Sequence, residues 1–288
     1  MKIDVLGVQI NSDTKNTIIF YIKKLLDENK KNFITTPYSE MLVAAQKDTG
    51  FREVLNSSDF ALPDGFGVQW AAKYLQLTTY NLLLNLWHLI TSLGSIIFYP
   101  KYIHSPIPER ISGSDFVWDL ARLAADRGYS IFLLGGFGNT PGLATAALKK
   151  KFQNLKIAGT NNLSLRGGQQ DNEAISRLPR PSQSLGARND ELIIKQINNS
   201  NTDFLFVAFG PIRQEKWIAE NLPKMNIKLA IGLGGTFDYL ASKRMLAPQI
   251  WRSVGLEWLW RLMTQPWRLW RISKGVLGLI WYSIKAKI

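Results

Sequence analysis

Short apolar runs recur along this chain, and nearly every one is followed by a stretch with helical spacing. Residues 3–10, 32–35, 59–62, 130–134, 155–158, 203–209 and 228–231 read as strands. Residues 14–29, 65–75, 114–127, 140–152, 189–198 and 214–221 read as helices, with further helical stretches up to residue 55. Ser12 or Asp13 is the expected cap of the first helix. Strands that alternate with helices predict an α/β fold, a mainly parallel sheet flanked by helices on both faces, Rossmann-like in outline. Residues 160–188 are polar and rich in Gly, Pro and Ser, which predicts a loop.

Composition narrows the function classes. Hydrophobic residues make up 46% of the chain and charged residues 20%, as in an ordinary globular protein. There is no cysteine, which excludes disulfides, thiolate metal sites and cysteine nucleophiles. His88 and His104 are the only histidines, too few for a histidine metal site. The first residues carry Asp4 and no long apolar run, so no signal peptide is read there and a cytoplasmic location is expected.

Charge is unevenly placed. Of the net charge of +13, the segment from Lys243 onward carries +8, from nine Lys or Arg against Glu257 alone. The same segment holds Trp251, Trp258, Trp260, Trp267, Trp270 and Trp281, six of the ten tryptophans. On a helix over 267–285, Arg268, Arg271, Lys274 and Lys285 share one face, and Leu269, Ile272, Val276, Leu277, Ile280 and Ile284 the opposite one. Trp270 and Trp281 fall at the boundary. This is the pattern of a helix in an anionic membrane interface, with a solvated basic face on a core helix as the plainer reading. No nucleic-acid module is evident, so no nucleic-acid partner is expected. The chain therefore divides, on composition, into an α/β core (1–242) and a basic, Trp-rich helical appendage (243–288).

Within the core, residues 77–108 read as an apolar insertion. At helical spacing Asn81, Asn85, His88, Ser92 and Ser95 line one side, and Leu82, Leu86, Leu89, Leu93 and Ile96 another. The polar stripe argues against a membrane span and leaves two readings, a core helix or one that dips into the membrane interface.

In open parallel sheets ligands bind beyond the carboxyl ends of the strands. Five such ends carry unusual residues: Thr36-Pro37, Pro63-Asp64-Gly65, Gly135-Gly136, Gly210-Pro211 leading into Arg213-Gln214-Glu215, and Gly234-Gly235-Thr236-Phe237-Asp238. Glycines let a backbone approach a ligand closely, and helix N-termini attract phosphate. Each turn is weak evidence alone, since Pro-Asp-Gly is a common turn and Gln214 or Glu215 suits any helix start. Together they point to a nucleotide or sugar-nucleotide site. The dinucleotide fingerprint and the P-loop are both absent, which speaks against an oxidoreductase or an NTPase.

The set as a whole resembles the WecG/TagA/CpsF glycosyltransferases, family 26. The matching pieces are Thr36-Pro37-x-Ser39-Glu40, Leu62-Pro63-Asp64-Gly65, Glu109-Arg110-Ile111-Ser112-Gly113-Ser114-Asp115 and Phe132-Leu133-Leu134-Gly135-Gly136. They continue with Gly210-Pro211-x-Arg213-Gln214-Glu215-Lys216-Trp217, Gly234-Gly235-Thr236-Phe237-Asp238, and Gly255-Leu256-Glu257-Trp258-Leu259-x-Arg261-Leu262 before Gln265-Pro266 and Arg268. The resemblance implies an inverting enzyme, peripheral on the inner face of the cell membrane. Such an enzyme moves a hexosamine, N-acetylmannosamine in many members, from UDP to an undecaprenyl-diphosphate-linked N-acetylglucosamine. The product feeds teichoic acid linkage units or other surface polysaccharides. By the same likeness Asp64 is the base and Thr36 an active-site contact. Gln214 and Asp238 contact the UDP portion, beside the turns of Gly135, Gly136, Gly234 and Gly235. Arg261, Arg268 and Arg271 belong to a tail that closes the site and meets the lipid diphosphate.

No Asp-x-Asp occurs in the chain, so a metal-independent reaction without cofactor is expected, with arginines offsetting the charge of the leaving UDP. Four departures bear on the donor. Tyr38 stands where the family usually has Asn, Leu246 stands where Arg usually precedes Ala247-Pro248, the 77–108 region is longer and more apolar than in typical members, and 160–170 lacks the usual Gly-Tyr-Phe. Other UDP-sugars, the N-acetylmannosamine uronate or glucose, stay open as donors, as does a non-enzymatic membrane-surface adaptor. A homo-oligomer is left open as well.

Overall fold

The computed structural model describes residues 1–28, 30–77, 81–162, 183–248, 251, 257–264 and 269–287. The chain forms two compact units, Met1–Phe116 with Met245–Ile288, and Val117–Arg244.

The first unit opens with a hairpin. β1 (Lys2–Val5) and β2 (Val8–Asn11) pair antiparallel, with Val5 opposite Val8. One strand over 3–10 was expected. Leu6 and Gly7 both take positive φ, 57° and 80°, and make the tight two-residue turn that reverses the chain. Helix α1 (Lys15–Asp27) follows, and its cap is Thr14, whose side chain accepts from the Thr17 N–H, rather than Ser12 or Asp13. Its buried stripe is Ile18, Ile22 and Leu26. β3 (Asn32–Thr35) and β4 (Phe60–Ala61) pair in parallel and are buried throughout. Between them lie α2 (Ser39–Lys47) and α3 (Thr49–Asn56), and after them α4 (Phe66–Gln76) and α5 (Leu82–Phe98). α6 (Gly113–Arg127) begins at the end of this segment.

Among its described residues the second unit holds four parallel strands in the order β8-β7-β5-β6: β5 (Ser130–Gly135), β6 (Lys156–Asn161), β7 (Phe204–Ala208) and β8 (Leu229–Gly232). Ile131–Leu134, Phe204–Val207 and Leu229–Ile231 are buried without interruption, as strands covered on both faces must be. Its helices are α7 (Thr140–Lys151), α8 (Gln183–Asn199), α9 (Arg213–Asn221) and α10 (Thr236–Leu240). The α/β expectation therefore holds, with parallel strands flanked by helices. The loop expected over 160–188 is shorter at both ends, since β6 runs through Asn161 and α8 starts at Gln183; 163–182 lie outside the described residues.

The carboxyl-terminal segment forms α11 (Glu257–Thr264) and α12 (Leu269–Lys285). The two units do not follow the 1–242 and 243–288 division, because α12 packs against α2 and α4. Leu279 and Ser283 are buried there, and a Cβ on Gly278 would come within 3.0 Å of Val43. The faces of α12 also differ from the expected ones. Gly275, Leu279 and Ser283 point inward, and Trp270 and Trp281 are exposed with Leu277 rather than lying at a boundary.

Candidate active site

In the first unit, two strand ends meet. The register Thr35 to Ala61 sets the residues after β3 beside those after β4. The Leu62 N–H donates to the Thr35 carbonyl at 2.8 Å and the Asp64 N–H to the Pro37 carbonyl at 2.9 Å. Thr36, 7% exposed, and Asp64 are thereby brought to one edge. Asp64 directly precedes Gly65, the N-cap of α4. Its Oδ2 accepts from the Gly113 N–H, the first residue of α6, at 3.3 Å. The Ile111 N–H donates to the Pro63 carbonyl at 2.9 Å and holds the segment before α6 against the turn after β4. A carboxylate at the N-termini of two helices has its negative charge favoured by both. Nearby, the Arg110 guanidinium lies 5.5 Å from the centroid of the Phe66 ring.

In the second unit, three strand ends carry the other expected residues. Gly135 pairs with Ala208, and the Gly136 N–H donates to the Ala208 carbonyl at 3.0 Å. Gln214 is 4% exposed, and its amide is bonded at both ends. Its Nε2 donates to Glu215 Oε1 at 2.7 Å, and its Oε1 accepts from the Gly234 N–H at 2.9 Å. Gln214 thus ties the start of α9 to the turn after β8. Asp238 faces Arg244, whose Nε lies 3.3 Å from Asp238 Oδ2. The neighbouring Lys243 Nζ donates to Thr140 Oγ1 at 2.7 Å, at the start of α7. A groove of about 410 Å³ opens beyond β5 and β6, lined by Gly138, Asn139, Pro141, Gly142, Thr160, Asn161 and Asn162.

Glu215 is the residue whose importance the sequence concealed. It is wholly buried, and Oε2 accepts from the Ile212 N–H at 2.7 Å. Ile212 holds φ 71°, a left-handed conformation that costs a β-branched residue about 1–3 kcal/mol. The only local signal was its place three residues after the helix cap, where an acid reaches back to the cap N–H. Burial pushes the Glu215 carboxyl up to about 7, against hydrogen bonds from Gln214 and the backbone that pull it down. The folded state therefore keeps this proton to higher pH than the unfolded chain does. Its contribution is full below the ordinary value of 4.5 and is lost as pH rises through about 7. Stability should fall by on the order of 3 kcal/mol between pH 5 and 8. Urea midpoints across that range should slope downward in the wild type and flatten in Glu215→Gln. Parallel slopes would remove Glu215 as the cause.

Of the expected tail arginines, Arg261 lies on α11 and Arg271 on α12, while Arg268 lies outside the described residues. Among the described residues, no three His, Asp or Glu side chains gather to hold a metal ion. No helix among them is long and apolar enough to cross a membrane.

Residues 3–99 and 78–288 match the sequence model of the Glycosyl transferase WecG/TagA/CpsF family. The chain is 28% identical over 259 residues to the N-acetylglucosaminyldiphosphoundecaprenol N-acetyl-beta-D-mannosaminyltransferase of Bacillus subtilis, covering 90% of this chain and 82% of that protein. It is 24% identical over 289 residues to the enzyme of the same name from Staphylococcus aureus, covering 99% and 93%.

Proposed function

The chain belongs to the WecG/TagA/CpsF glycosyltransferase family, and on that footing we propose that it transfers N-acetylmannosamine from UDP to N-acetylglucosamine carried on undecaprenyl diphosphate. The observation that carries this reading is a family match along almost the whole chain, joined to an Asp64 carboxylate anchored at a strand end beside Thr36. Relatives from two bacteria bear the name of this reaction.

In the proposed mechanism Asp64 accepts the proton of the acceptor hydroxyl as that oxygen attacks the anomeric carbon. A new carbon–oxygen bond forms on one face of the sugar while the bond to UDP breaks on the other, so the configuration inverts. UDP leaves with the bonding electron pair. Gly135, Gly136, Gly234 and Gly235 offer backbone to the donor, with Gln214 and Asp238 framing it. Arg261, Arg268 and Arg271 offset the charge on the departing diphosphate, in a reaction that needs no metal. The enzyme works at the membrane surface, where its lipid-linked acceptor resides. The product would enter teichoic acid or other surface polysaccharide synthesis.

The test is transfer from UDP-N-acetylmannosamine to a short-chain lipid-diphosphate N-acetylglucosamine, with chelator present. Undiminished transfer under chelator is the expected result. Transfer only from UDP-glucose or the uronate donor would move the donor assignment, and transfer restored only by a divalent ion would overturn metal independence. No transfer from any UDP-sugar, together with no thermal stabilisation by UDP, would remove the enzymatic reading.

A further inference from the structure

Helix α5 is built inside out. Its polar residues face the protein: Ser92 is fully buried and its Oγ accepts from Trp70 Nε1 at 3.0 Å, and Ser95 is buried one turn on. Its large apolar residues face away. Leu83 is 78% exposed, Leu86 52%, Trp87 62% and Ile90 59%, at the spacing of a single helical stripe. The helix contains no Asp, Glu, Lys or Arg. Such a stripe on a water-facing surface marks an interaction site.

The same unit indicates what covers it. α5 and α12 both pack on α4. α12 turns outward Trp270, Leu277 and Trp281, with the Lys274 ammonium 4.7 Å from the centroid of the Trp270 ring and Lys285 exposed. Indoles mixed with lysines suit the headgroup layer of a bilayer. The two helices are tied at one end. Lys287 donates to the Leu77 carbonyl and lies 3.5 Å from Asn85 Oδ1 on α5. The net charge of +13 complements an anionic surface and opposes the close approach of a second copy. α5 spans 17 residues and keeps Ser92 and Ser95 buried against the protein, so only its exposed stripe is offered to a bilayer, which suits an in-plane position.

We propose that α5 is a membrane-insertion helix, lying in the interface of an anionic bilayer with Leu83, Leu86, Trp87 and Ile90 in the acyl boundary while α12 meets the headgroups. The proposal rests in part on the reading of a lipid-linked acceptor, but its test does not depend on catalysis. Binding through α5 is apolar and should resist salt, whereas binding through the lysines of α12 should weaken with it.

The absence of cysteine allows a direct probe. Leu86→Cys, labelled with an environment-sensitive fluorophore, should brighten and shift to the blue on addition of phosphatidylcholine–phosphatidylglycerol vesicles. The same label at Leu192→Cys, an exposed leucine on α8, should not respond. Leu86→Ser/Trp87→Ser should lower vesicle partitioning at least tenfold at both low and high salt, with an unchanged melting temperature. It should keep transfer to a short-chain soluble acceptor and lose transfer to vesicle-embedded acceptor. A silent label at position 86 would overturn the proposal. So would a double variant that binds vesicles normally but shifts from oligomer to monomer in sedimentation, which would make the occupant a second copy. Failure of every transfer assay with vesicle insertion intact would count against the proposed reaction and leave the insertion helix standing.

Discussion

Asp64→Asn should leave a folded protein that transfers sugar about 10³-fold more slowly, within the 10²–10⁴ range by which a positioned acid or base accelerates a reaction. The substitution is nearly isosteric. An Asn carbonyl can accept from the Gly113 N–H as Asp64 Oδ2 does, so the link between the turn after β4 and the start of α6 survives. The backbone bond from the residue 64 N–H to the Pro37 carbonyl is unaffected. What disappears is the proton acceptor and one negative charge at two helix N-termini. The lost charge should cost about 1 kcal/mol of stability, which the fold can bear. The loss should therefore fall on kcat, with KM for both substrates changed by less than about threefold. Single-turnover transfer with UDP-stabilised, folded variant is the measurement. A rate within tenfold of wild type would take the role of base away from Asp64.

How far residues announce their structure depended on what surrounds them. The run Phe204–Ala208 and its neighbour Ser130–Gly135 were readable as strands because burial on both faces demands unbroken apolar sequence. The hairpin Lys2–Asn11 was not, because its turn uses Leu6, a residue with no turn preference, ahead of a single glycine. Periodicity placed Asn85, His88, Ser92 and Ser95 on one side of α5, but it cannot say which side meets the protein. The answer came from Trp70, whose indole needs a buried acceptor. The same limit misassigned α12, where glycines at 275 and 278, not the apolar stripe, provide the contact face with α2. Among the candidate residues, strand-end position alone picked out Thr36, Asp64 and the glycine turns. Their partners were hidden: Gly113 is 49 residues from Asp64, and Gly234 is 20 from Gln214. A local reading gives Glu215 no reason to be buried, since exposed acids are common in a first helical turn.

Gly135, the last residue of β5, should prove the least replaceable backbone position near the candidate donor side. Gly135 holds φ 93°, and a Cβ built there would sit 2.7 Å from the Ala208 carbonyl oxygen and 2.9 Å from its carbon. Those atoms belong to the central β5–β7 pairing, where Gly135 is registered against Ala208 and the Gly136 N–H bonds the same carbonyl. They cannot swing aside as a side chain would. Gly135→Ala therefore combines backbone strain with a clash inside the sheet, and about 3–4 kcal/mol of destabilisation is expected. Gly138 separates the two effects. It also has positive φ, 56°, but nothing lies within 4 Å of its Cβ position. Gly138→Ala should cost only about 1–2 kcal/mol, the price of the left-handed conformation alone. Urea unfolding at equal m-values measures both, and the gap between them isolates the contact with Ala208. Equal losses at the two positions would mean that the strands part easily at this end. The close approach of β5 and β7 would then not be what fixes the Gly135-Gly136 turn.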